Sequence, residues 1–116
     1  MSILIEPVKG KGKRKHGKAS IIGTLTIYDA ASGKQALLDA IDGVTELEID
    51  LSAVTEIDTA GVQLLVMLKR AAARAEKQVQ LVAHSPASLE VLDHYNLVAY
   101  FGDPVVISSR RKPRDN

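Results

Sequence analysis

Apolar residues occupy every second position through Leu47-Glu48-Ile49-Asp50-Leu51, and the period then changes. Val62, Leu64, Leu65, Val66 and Leu68 recur at helical spacing and run on into Ala71, Ala72 and Ala73. The first pattern predicts a half-buried strand, the second a buried helix. Ser52 to Asp58 reads as the turn between them. The helix is expected from Thr59 or Ala60 to about Glu76, with Lys69, Arg70, Arg74 and Lys77 near its end, where cations complement the helix dipole. Asp58-Thr59-Ala60-Gly61 is thus a short polar tip at a helix start. Unpaired N–H groups and partial positive charge there favour hydroxyls, carboxylates or phosphate.

The rest of the chain follows the same logic. Ile3 to Val8 alternates weakly and meets Pro7, which suits a short edge strand. Lys9 to Lys18 has three glycines, six Lys or Arg and no aliphatic residue, and reads as a mobile, solvated hairpin loop or arm joining the first two strands. Ala19 to Tyr28 predicts a second strand, with Gly23 as a bulge or a point of close backbone approach. Asp29 or Ser32 can cap a helix carrying Ala36, Leu37, Ala40 and Ile41, closed by Gly43. Val79 to Ala83 predicts another strand. Ser85-Pro86 opens a third helix with Leu89, Val91 and Leu92, ending at Asn96. Val105 to Ile107 is a last short strand, and the polar stretch after it reads as disordered.

The order β-β-α-β-α-β-α-β calls for an α/β domain with a mixed, largely parallel sheet of four to five strands. At 116 residues the chain is one domain with one core, residues 1–108, followed by a basic tail at 109–116. With Phe101, Tyr28, Tyr95 and Tyr100 its only aromatics, the core has to be aliphatic. Cysteine is absent, which excludes disulfides, thiolate metal sites and Cys nucleophiles. No apolar run approaches the roughly 18 residues of a membrane span, and the first residues lack the basic n-region of a signal peptide. The expected location is the cytoplasm.

A net charge of +1 conceals a segregation. Ten of the 15 Lys and Arg lie in residues 9–18 and 110–114. Between 19 and 109 stand 5 basic residues against 12 acidic ones, a net of −7. An acidic body carries two basic appendages.

Enzyme signatures are missing. Gly10, Gly12 and Gly17 precede a strand rather than link a strand to a helix, so they do not form a phosphate loop. His16, His84 and His94 have no metal-ligand spacing, and no serine sits in a nucleophile elbow. No catalytic residue, metal or cofactor is expected. At the polar tip, Thr59 can offer its hydroxyl as a cap, and Gly61 lies inside a helix, where it costs about 0.5–1 kcal/mol relative to Ala. Two readings of Gly61 stay open: a ligand or partner approaches the backbone, or the helix sits tightly on a neighbouring strand.

Asp50-Leu51-Ser52, Val54 and Ile57-Asp58-Thr59-Ala60-Gly61-Val62, then Leu64-Leu65, resemble the signature of STAS domains. That family includes anti-sigma factor antagonists and the cytoplasmic domains of sulfate transporters. Gly23 to Tyr28 is similar to its G-x-L-T strand, and Ser85-Pro86 with Leu97 fits its third-helix region. The resemblance runs from about Ala19 to Ile107. It implies a protein-binding regulator whose contact is Asp58, Thr59, Ala60, Gly61 and Val62. In the antagonist branch the motif is Asp-Ser-Ser-Gly, and its second serine is phosphorylated by a kinase that is also the anti-sigma factor. Here Ala60 stands at the acceptor position, which leaves Thr59 as the substitute acceptor. The pattern also resembles the STAS subunits of phospholipid-trafficking ABC transporters, where Asp-Thr precedes a small residue and Gly and the Thr belongs to the contact with the ATPase.

For the basic appendages the candidate partners are nucleic acid, an anionic membrane surface or an acidic protein. Of the three functional classes (signalling regulator, transporter subunit, nucleic-acid binder) the last is the weakest, since no aromatic stacks on bases and no helix reads a groove.

Overall fold

The structure, a computed structural model, describes residues 1–95 and 97. Among the described residues a mixed five-stranded sheet carries three helices. The strands are β1 (Ser2–Ile5), β2 (Lys9–Lys11), β3 (Arg14–Leu25), β4 (Glu46–Ile57) and β5 (Gln78–His84); the helices are α1 (Ile27–Asp42), α2 (Thr59–Arg74) and α3 (Pro86–His94). The order across the sheet is β1-β3-β4-β5, with β2 beside the start of β3. β1 and β2 run antiparallel to β3, whereas β3–β4 and β4–β5 are parallel, as strands joined through helices require.

The core is aliphatic. Ala19, Ile21 and Leu25 of β3, Leu47, Ile49 and Leu51 of β4, and Val79 and Leu81 of β5 are buried with Leu37 and Ile41 of α1 and Leu64, Leu65 and Leu68 of α2. Lys18, Ser20, Glu48 and Asp50 alternate with these and lie on the opposite sheet face.

Several elements differ from the pattern reading: β1 stops at Ile5 rather than Val8, and α3 ends at His94 rather than Asn96. Residues 9–18 are not a loop: Lys9–Lys11 pairs with Arg14–His16, and β3 continues through Lys18. Glycines with positive φ, Gly10 (+114°) and Gly12 (+64°), let the chain make this tight hairpin. The strand expected over Ala19 to Tyr28 stops at Leu25, and Ile27 and Tyr28 open α1. Its N-cap is Thr26 rather than Asp29 or Ser32; the Asp29 carboxylate reaches back to the Thr26 N–H at 3.1 Å. Ser52 to Ile57, expected as a turn, extends β4 alongside β3 to the pair Leu25–Ile57. Bulges at Ser20/Ile22 and Gly23/Thr24 shift the register, so burial moves from alternate positions to Val54 and Ile57. Finally, α2 ends at Arg74, short of Glu76, which itself takes a positive φ of 60°.

Gly43 closes α1, and the Lys77 ammonium donates to the carbonyls of Ile41 and Asp42, a cation at the negative end of that helix. Ser85 caps α3, with Pro86 in its first turn. Asn96, the strand over Val105 to Ile107 and the tail at 109–116 lie outside the described residues.

Candidate functional site

Parallel pairing of β3 and β4 brings the starts of α1 and α2 to the same end of the sheet. Asp58 holds them there. Its Oδ1 accepts the Gly61 N–H at 3.0 Å, capping α2, and its Oδ2 accepts the Ile27 N–H at 3.0 Å, the first amide of α1. The cap is therefore the Asp58 carboxylate, not the Thr59 hydroxyl. The Gly61 N–H, and after it that of Ile27, hold the Asp58 carboxyl below the usual carboxylate range. A second carboxylate stands beside it: Asp29 accepts from the Thr26 N–H and from the hydroxyls of Thr24 and Thr26, and is likewise lowered, chiefly by the Thr26 N–H. These two acids satisfy N–H groups at the starts of α1 and α2.

The five residues singled out in the sequence separate by depth. Thr59 is exposed, Asp58 and Ala60 are half-buried, and Gly61 and Val62 are buried. The space beside Gly61 is filled from within. A Cβ there would sit 2.2 Å from the Leu25 carbonyl oxygen and 2.9 Å from Ile57 Cγ1. Of the two readings, tight packing of α2 against the ends of β3 and β4 is the one the geometry bears out.

Thr59 Oγ1 lies 3.2 Å from the Tyr95 hydroxyl at the end of α3. Two hollows flank this pair. One, of about 610 Å³, is lined by Val62, Val66, Met67, Leu97 and the Arg70 and Arg74 side chains, among others; the smaller, about 310 Å³, runs past Asp58, Glu90 and His94. On the other side of Asp58, Ile27 is 65% and Tyr28 94% exposed, and Tyr95 is 46% exposed. Pattern reading missed these three: Ile27 and Tyr28 continue the β-rich run Thr24-Leu25-Thr26 and look like strand. Thr26 followed three positions later by Asp29 was the available signal for a helix start.

The histidines do not converge. His16 pairs with Glu46 at 2.8 Å, His94 stacks edge-on against Tyr95, and both ring nitrogens of His84 are buried without a partner. Among the described residues no three His, Cys, Asp or Glu side chains cluster as a metal would need, and no helix is long and apolar enough to cross a membrane.

The family model for the Mlab, STAS domain matches residues 11–102, and the chain belongs to that family. No curated protein matches the sequence. Among solved structures the fold is similar to that of the anti-sigma factor antagonist SpoIIAA in its unphosphorylated form (TM-score 0.67, 15% identity, 90% of each chain covered). It is also similar to an anti-sigma factor antagonist from Mycobacterium paratuberculosis (TM-score 0.67, 24% identity, 92% of this chain and 87% of that one). A Thermotoga maritima protein aligns with a TM-score of 0.72 at 20% identity, over 90% of this chain and 88% of that one.

Proposed function

We propose that this chain is a non-enzymatic regulator of the anti-sigma factor antagonist type, working in the cytoplasm. It binds a signalling partner, such as an anti-sigma kinase, through the Asp58–Val62 helix start. One observation carries the reading: a single carboxylate ties together two helix starts, with Ile27 and Tyr28 exposed at one and Thr59, 3.2 Å from the Tyr95 hydroxyl, exposed at the other. Exposed aromatics on a fixed frame are what protein interfaces use as anchors.

The usual serine switch is absent in this reading, because Ala60 has no hydroxyl to accept a phosphate. Within Asp58–Val62, Thr59 is the only residue with a hydroxyl. A phosphate on it would favour the α2 N-terminus but face the Asp58 carboxylate, and it would displace the contact with Tyr95. Incubation with anti-sigma kinases and ATP tests this. Stable binding without incorporated phosphate is the expected result; phosphate on Thr59 with release of the partner would restore a switch.

A second reading is an accessory subunit of a phospholipid-trafficking ABC transporter. The exposed Thr59, set between two hollows, suits the structural contact that the Asp58-Thr59-Ala60-Gly61 pattern implies there. Co-purification with an ATPase subunit, lost on Thr59→Ala, separates it from the first.

A further inference from the structure

The two ends of β3 are built for different surfaces. Its last residues deliver the Asp58 tip. Its first residues form, with β2, a ribbon of cations.

Lys9 stands opposite His16 and Lys11 opposite Arg14, so these four side chains share one face, while Lys15, opposite Gly10, projects from the other. Lys13 occupies the turn. All residues from Lys9 to His16 are exposed, and none is apolar. The ion pairs lie at the root of the ribbon: His16 with Glu46, and Lys18 with Glu6 and Asp50. Among the described residues Lys9, Lys11, Lys13, Arg14 and Lys15 are in no ion pair. The wider sheet ends at the pair His16–Glu46, and Thr45 still bonds the Lys15 backbone, so the Lys11–Arg14 pair and the turn stand beyond it as two strands alone. Negative charge at the root and positive charge at the tip favour a tip-first approach to a polyanion.

We propose that this ribbon is a sequence-independent binding element for duplex nucleic acid, inserting between the two phosphate walls of a groove. A major groove about 12 Å wide admits a two-stranded β-ribbon. Cations on both faces and at the turn can meet phosphates on both walls, where a planar surface would engage one face alone. Phosphate contacts need neither an aromatic nor a reading helix. A bilayer is disfavoured because Lys9 to His16 has no apolar side chain to bury, and because Glu6, Glu46 and Glu48 flank the root on the way to flat contact. The ribbon and the Asp58 tip lie about 35 Å apart along β3 at roughly 3.3 Å per residue. Both can be occupied at once.

The test uses the full chain and a 20-bp duplex of arbitrary sequence, with binding followed by fluorescence anisotropy from 50 to 200 mM salt. Phosphatidylserine-containing vesicles are titrated in parallel. Five phosphate contacts predict a log–log salt slope of about −4.5, or roughly a 500-fold loss over that range. Lys9→Gln with Lys11→Gln and Arg14→Gln is expected to reduce the slope to about −2, and Lys13→Ala alone to reduce it by about 0.9. Circular dichroism checks that each variant is folded. Duplex binding that fails at 50 mM salt, or tighter binding to the vesicles, overturns the proposal. So does a slope unchanged in both variants, which would assign binding to Arg110, Arg111, Lys112 and Arg114.

Discussion

Asp58 Oδ2 accepts the backbone N–H of Ile27 at 3.0 Å, across 31 positions of sequence. The same carboxylate caps α2 through Gly61. Removing it uncaps α2 and leaves the first amide of α1 without this acceptor. Asp58→Ala is expected to lower the urea midpoint and weaken partner binding at once. Asp58→Asn should lie between Ala and wild type, since one of its two terminal atoms still accepts. Because the folded carboxyl titrates below its ordinary value, its stabilisation is present above that value and is lost as pH falls through the lower, folded one. Acid unfolding of Asp58→Asn should show a shallower loss in that range; an unchanged acid limb would contradict the assignment.

Gly61→Ala sets helix propensity against packing. Alanine should gain about 0.5–1 kcal/mol in a free helix. Here its Cβ would lie 2.2 Å from the Leu25 carbonyl oxygen, a backbone atom that cannot swing aside. Overpacking of this kind costs about 1–3 kcal/mol. Net destabilisation in urea denaturation is the expected outcome, and a more stable variant would show that α2 can shift freely.

His84 carries the opposite problem. Both its ring nitrogens are buried without a hydrogen bond. Desolvation lowers its pKa below the ordinary 6.5, against the opposing charge of Asp50. The unfolded chain then takes up a proton before the folded one does. Stability is full above 6.5 and declines as pH falls below it. His84→Leu should remove that slope and, by eliminating unpaired polar atoms, raise stability at neutral pH by about 1 kcal/mol. Chemical denaturation at pH 7.5 and at pH 5.5 measures both effects.

Tyr28 is 94% exposed, so truncation should leave stability within about 0.5 kcal/mol. Partner affinity is expected to fall by about tenfold or more in Tyr28→Ala if the tyrosine anchors the contact, as a central interface aromatic does. Isothermal titration against the partner, beside a thermal melt of the free variant, separates the two quantities. Unchanged affinity would move the contact away from the start of α1.

Much of this was legible in the chain. The alternation in Leu47 to Leu51 and the helical spacing in Val62 to Leu68 marked β4 and α2, and Ser85-Pro86 marked α3. What escaped has physical causes. β2 and the start of β3 pair through their backbones alone, so a run of lysines and glycines gives no apolar period to read. Beyond Leu51 the bulges move the inward positions to Val54 and Ile57, and the period of two vanishes. Asp58 stood out as part of a motif, but its bond to Ile27 joins residues that nothing local connects. Gly61 was visible as an anomaly in a helix; only the position of Leu25 shows what it makes room for.

The β3–β4 ladder also sets an order of events. Its first pair, His16–Glu46, closes a loop of about 30 residues that contains all of α1, whereas β1 and β2 return to β3 locally. Non-local parallel pairing of this kind is slow to form, because the entropy of closure is lost before contacts repay it. The last pair, Leu25–Ile57, lies next to Asp58. The proposed recognition surface thus sits at the terminus of a non-local parallel ladder, and a partially zipped chain would expose its hydrophobic strands while still lacking that surface.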